Sequence, residues 1–151
     1  MKRALAIIFL ATFFLAAQSA SAQDYRFGVG VRLSNSSPTL NNSITGKYFV
    51  TDRSAIEGIV SFGGRFGVGA LLEIHKPFTI EGLSWMYGGG VYVGFQDKQT
   101  YLGPTGILGL DYKFSEAPIN LSLDWKPELD FSPAVNFIPD AFALSVRFTI
   151  K

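Results

Sequence analysis

Ile119-Asn120-Leu121-Ser122-Leu123-Asp124-Trp125-Lys126 is the stretch that decides the fold. From Ile119 to Trp125 every second residue is apolar, and every residue between is polar. That is the period of a strand whose two faces meet unlike surroundings. Pro127, which has no N–H to give to a ladder, ends it.

The same alternation recurs on either side. Downstream, after a loop over 128–140, Phe142, Leu144, Val146, Phe148 and Ile150 alternate with Ala143, Ser145, Arg147 and Thr149. Upstream, residues 102–113 repeat it with a frayed start at Pro104, as do 85–95, 66–75, 54–63, 41–50 and the strand that begins at Tyr25. Loops are expected at 34–40 and 96–101, a longer connection at 76–84, and tight turns at 51–53, 63–65 and 115–118. Eight strands of roughly ten residues leave only short connections in the rest of the chain.

The first residues carry a different message. Lys2 and Arg3 precede an apolar run from Ala4 to Ala17, and Ala20-Ser21-Ala22 forms a small-residue cleavage pattern before Gln23. This is a secretory signal peptide, expected over residues 1–22. Its apolar run is shorter than the roughly 20 residues a spanning helix needs. The mature domain is then residues 23–151. Loss of Lys2 and Arg3 from the 13 bases leaves 11 against 12 acids, a balance that excludes a basic nucleic-acid surface. With no cysteine, neither a disulfide framework nor a thiolate metal site is available.

Alternation alone does not say which face is wet. A secreted, lipocalin-like carrier would turn its apolar face inward. Two features favour the opposite. Glycines 28, 30, 67, 69, 88, 90, 94, 103 and 109 sit on the polar faces, a poor solvent coat but a good lining for a narrow lumen crossed by long side chains. Aromatic residues on the apolar faces also sort by height when the chain is threaded up and down. Tyr25, Tyr48, Trp85, Tyr87, Tyr112 and Phe148 fall near one rim, and Phe62, Phe66, Phe95, Trp125 and Phe142 near the other. Two aromatic girdles around an aliphatic band are the mark of a barrel in lipid. The fold expected is all-β: an eight-stranded antiparallel up-and-down transmembrane β-barrel behind a cleaved signal peptide.

Ile44-Thr45-Gly46-Lys47-Tyr48-Phe49, Leu108-Gly109-Leu110-Asp111-Tyr112-Lys113-Phe114 and Pro118-Ile119-Asn120-Leu121-Ser122-Leu123-Asp124-Trp125 resemble strands of the small OmpA/OmpX-type outer-membrane barrels. The resemblance covers the whole mature chain. It implies a monomer in the bacterial outer membrane, surrounded by outer-membrane lipid, whose last strand is read by the barrel-assembly machinery. In that family the last strand commonly ends on an aromatic residue, whereas here Phe148 is followed by Thr149-Ile150-Lys151.

Some barrels of this size are lipid A-modifying enzymes, so catalysis needs a test against the residues. An acyl hydrolase requires Ser, His and a carboxylate within reach of one another. The single histidine, His75, has lumen parity beside Glu73, and neither Ser122 nor Ser145 faces the lipid, so His75 is expected to be a polar plug residue and the protein not an enzyme. No catalytic, cofactor-binding or metal-binding residue is assigned: Glu73 and His75 share a strand face, but no second histidine or cysteine exists. The Asn-x-Ser matches at Asn35, Asn41 and Asn120 are chance, and Gly88-Gly89-Gly90 lies within a strand, not in a phosphate loop.

One constellation stands out. Arg26, Lys47, Glu57, Glu73, Asp111 and Arg147 all have lumen parity at similar height, three bases and three acids in a belt, with Arg32, Asp124 and Lys126 nearer the other mouth. Buried charges demand partners, so mutual pairing that plugs the lumen is expected. The function expected is therefore structural or surface-interacting and not that of a general porin, with a lipid A-modifying enzyme and a secreted carrier as the alternatives. The outer loops name no extracellular partner.

Overall fold

The computed structural model describes residues 25–35 and 39–151; the expected signal peptide lies outside the described residues. Alternation becomes strand wherever the sequence keeps it: β1 (Phe27–Ser34), β2 (Ser43–Phe49), β3 (Ser54–Phe62), β4 (Phe66–Pro77), β5 (Leu83–Gln96), β6 (Gln99–Lys113), β7 (Ile119–Trp125), β8 (Glu128–Asp130), β9 (Asn136–Ile138) and β10 (Phe142–Ile150). Strands β1 to β7 pair in chain order, β7 pairs with β10, and β10 returns to β1, so eight antiparallel strands close into a barrel. Closure leaves no unpaired edge.

The register fixes the shape. Starting at Pro77 on β4, the paired residues run through Ser84, Asp111, Ser122, Ser145, Arg32, Ser43 and Ser61 and come back to β4 at Gly67, ten residues displaced. Ten residues at ~3.3 Å each, against eight strand spacings of ~4.8 Å, tilt the strands by about 40° from the barrel axis. At eight strands the interior is just wide enough for side chains to fill.

The distribution of side chains is inverted relative to a water-soluble domain. Buried polar and charged residues outnumber buried apolar ones, while Val31, Leu33, Val91 and Leu123 on the outer face are 53–61% exposed. The inside is not uniformly polar. Ile59, Leu71, Met86, Tyr92 and Ile107, from β3 to β6, form a buried apolar cluster together with Leu40. The buried charged side chains fill the rest of the lumen, with Glu57, Glu73 and Asp111 coming from these same strands.

The connections depart from expectation in four places. Residues 96–101 are not a loop, because β5 and β6 continue to Gln96↔Gln99 and reverse through Asp97 and Lys98, both at positive φ, the conformation of a tight primed hairpin turn. The expected frayed start at Pro104 is likewise absent: β6 runs through it, its missing N–H falling on the β8 side between the bonds made by Leu102 O and Gly106 N. Third, the last loop is a hairpin, with β8 continuing the β7 register along β6 and β9 folding back on β8. The connection between β4 and β5 shrinks to 78–82, where Gly82 at φ 80° brings its Cα so close to Lys113 O that a Cβ would lie 2.3 Å from it.

Candidate functional site

Strand alternation points Lys47, Glu57, Glu73, Asp111, Asn120 and Arg147 into the lumen, where all are buried. Lys47 Nζ lies 2.8 Å from Glu73 Oε2 and 3.3 Å from Asp111 Oδ1, while Asn120 donates to the other Asp111 oxygen at 2.8 Å. Arg147 donates to Glu57, to Ser122 Oγ at 2.6 Å and to Asn120 Oδ1 at 3.2 Å. Thr45 adds a further bond to Glu57 at 2.6 Å. The three charges placed nearer the other mouth join the same network: Lys126 is 3.3 Å from Glu57 and 3.0 Å from Asp124, which is 3.0 Å from Arg32. What the sequence divides into a belt and an upper group is one network along the lumen, two groups of ion pairs bridged by Asn120 between Arg147 and Asp111.

Arg26 is the exception. The chain bends ahead of β1, so Arg26 is exposed at the mouth where the C-terminal end of the last strand lies, and Tyr25 takes the interior place. Tyr25 is correspondingly no girdle residue: it is 7% exposed and packs edge-on against Phe49 at 5.2 Å. The parity argument fails here because the strand begins two residues later than the alternation does.

The remaining aromatics sit near strand ends on the outer face. Trp85 stacks on Tyr87 at 5.1 Å with Lys76 over both rings, and Tyr48, Tyr112 and Phe148 stand at the same end of their strands. At the far end Phe62 contacts Phe66 at 6.0 Å across the β3–β4 turn, Trp125 stacks on Phe142 at 6.4 Å, and Phe95 closes β5.

That far end is stoppered by the first loop, a feature the sequence does not announce. Thr39, Leu40 and Asn41 are buried, with Leu40 in the apolar cluster. Glu128 accepts the backbone N–H groups of Thr39 at 2.8 Å and Leu40 at 2.7 Å, and Arg32 donates to the Leu40 and Asn41 carbonyls. Arg65 ties Thr39 Oγ1 at 2.8 Å to Asp130 at 3.2 Å, which also accepts from Tyr92 at 2.8 Å. Small residues make the room: a Cβ on Gly67 would lie 2.6 Å from Thr39 O.

The end carrying Tyr25 and the C-terminus is open. A cavity of about 650 Å³ enters there, with Tyr25, His75, Ser84 and Asp111 among its lining residues and Phe49, Phe78, Leu83 and Phe114 supplying apolar walls. His75 is buried; its Nε2 lies 3.1 Å from Glu73 Oε2 and its Nδ1 3.4 Å from Ser84 Oγ. Ser84 belongs to the residues expected to form a connection, and its pairing with Pro77 at the end of β4 is what sets it beside His75. Among the described residues no group of three His, Cys, Asp or Glu side chains is placed to hold a metal ion.

No protein-family model, no curated protein and no solved structure matches this chain.

Proposed function

We propose that the chain is a bacterial outer-membrane protein: residues 1–22 direct export, and residues 23–151 form a monomeric barrel in outer-membrane lipid, OmpA/OmpX-like, with a structural or surface-interaction role. The observation that carries this reading is the inverted interior, in which Lys47, Glu57, Glu73, Lys126 and Arg147 are fully enclosed while aliphatic side chains project outward. Water would not reward that arrangement, whereas lipid does. Aromatic residues at both ends of the outer face add to it.

A soluble carrier needs an empty apolar interior, and here the lumen is occupied by paired charges and by Leu40 with its neighbours. The paired interior equally supports a sealed body over a general porin. Modification of lipid A from the membrane side gains nothing from the geometry, because the chain's one histidine points inward. The role then falls to the outer end, where the β8–β9 hairpin presents Phe131, Val135 and Phe137, each more than half exposed.

Expression with residues 1–22 intact, followed by membrane fractionation, tests the reading. The protein is expected in the outer-membrane fraction, migrating differently before and after boiling. Recovery as a soluble periplasmic monomer without detergent overturns it.

A further inference from the structure

We propose that Ser84, His75 and Glu73 form a nucleophile, base and carboxylate relay on the floor of the mouth cavity, suited to hydrolysis of a carboxylic ester with an apolar acyl chain. Three residues from two strands line up there. Ser84 Oγ is 3.4 Å from His75 Nδ1, and His75 Nε2 is 3.1 Å from Glu73 Oε2. With Nε2–H donated to Glu73, Nδ1 is left as the acceptor that faces the serine hydroxyl, the protonation pattern a general base needs. A separation slightly longer than a strong hydrogen bond is usual for such pairs before substrate binds.

Two carboxylates stand beside the His75 ring. Glu73 and Asp111 share a single lysine, Lys47, at 2.8 and 3.3 Å, so the trio carries one net negative charge. His75 Nδ1 is also 4.0 Å from Asp111 Oδ2, which places the developing positive charge between both carboxylates. Phe49 packs on the ring at 4.9 Å and shields one face.

The cavity supplies the rest of a site. Tyr25 Oη is buried without a hydrogen-bond partner and lines the same cavity, a donor available to an ester oxygen. Phe49, Phe78, Leu83 and Phe114 would hold an acyl chain, while Arg26, Arg53 and Lys113 are matched by Asp52, Glu81 and Asp111 along the same lining, which sets the preference for an uncharged, apolar acyl group. Ser84 attacks the ester carbonyl as its proton passes to His75 Nδ1; the intermediate expels the alcohol, which takes that proton. Water then adds to the acyl-Ser84, its proton passes through His75 to the departing Ser84 oxygen, and the acid leaves. Ester and water become acid and alcohol.

This inference goes beyond the envelope role and does not depend on lipid insertion. The refolded barrel in detergent micelles, with folding scored separately by its migration before boiling, would be treated with a fluorophosphonate and analysed by mass spectrometry. Hydrolysis of p-nitrophenyl butyrate and of the anionic p-nitrophenyl hemisuccinate would be followed in parallel. A single adduct on Ser84 is expected, absent in Ser84→Ala and formed about 100-fold or more slowly in His75→Gln, with both variants folded. The butyrate should be preferred over the hemisuccinate. No adduct in the wild type, an adduct elsewhere, or labelling at an unchanged rate in His75→Gln overturns the relay; equal turnover of both esters overturns the apolar acyl preference.

Discussion

Arg147 on the last strand and Glu57 on β3, three strands away round the ring, are hydrogen-bonded inside the lumen, both fully enclosed. Glu57 also lies 3.3 Å from Lys126 and accepts from Thr45. A single carboxylate thus faces two bases, which makes it the joint between their ion pairs.

Glu57→Ala should be among the most damaging single changes in the barrel. It leaves Arg147 without a carboxylate and Lys126 with only Asp124, and breaking a buried pair from one side costs about 3 to 5 kcal/mol. Glu116→Ala, at an exposed position in the β6–β7 turn, should fall within about 0.5 kcal/mol of the wild type. Urea titration of the folded, fast-migrating form in micelles measures both. Equal midpoints would mean that water, not Arg147 and Lys126, solvates Glu57.

Val91 separates a membrane barrel from a soluble one. It is 61% exposed and lies four residues from both Tyr87 and Phe95, midway between the two aromatic levels. Val91→Arg should cost about 2 to 4 kcal/mol if that band meets lipid. Val135→Arg, at the tip of the β8–β9 hairpin and 76% exposed, should be nearly neutral. Folding yield into lipid vesicles is the measurement, and equal yields would argue that neither position contacts the hydrocarbon.

The barrel was legible because its signal is period two, and a period survives any uncertainty in where strands end. Which residues face inward follows from the same count, so Lys47, Glu57, Glu73, Asp111 and Arg147 could be named from the sequence. What the count cannot carry is a break in phase: the bend before β1 moves Arg26 out and Tyr25 in. Ser84 is invisible for a related reason. Pro77 and the polar residues after it read as a connection, and only the pairing Pro77↔Ser84 turns that stretch into a strand facing His75. The plug is harder still, because Thr39-Leu40-Asn41 has ordinary loop composition, and its burial depends on Glu128, 89 residues after Thr39 and 88 after Leu40.

Glu128→Ala should loosen that plug without unfolding the barrel. Two backbone N–H groups lose their acceptor in a site closed to water, a penalty of about 1 to 3 kcal/mol each if nothing replaces it. Leu40 then has less to hold it among Ile59, Leu71 and Tyr92. Amide exchange at Thr39 and Leu40 should accelerate selectively, while the Glu57–Arg147 region stays protected. Uniform acceleration would mean that the plug and the barrel body open together.

Conductance tests the seal as a whole. Along the lumen stand two obstacles in series: the plug of Leu40 held by Glu128 and Arg32, and the ion pairs joining Lys126, Glu57, Arg147, Asp111, Lys47 and Glu73 through Asn120. An eight-stranded interior has no width to spare beside these side chains. The wild type in a planar bilayer should therefore show no large stable current. Glu128→Ala should remain closed as well, because releasing the plug leaves the ion pairs intact. Glu57→Ala combined with Glu128→Ala removes a joint from each obstacle and should give the first measurable openings. A steady porin-sized current from the wild type would mean that the paired charges line an open channel and do not close one.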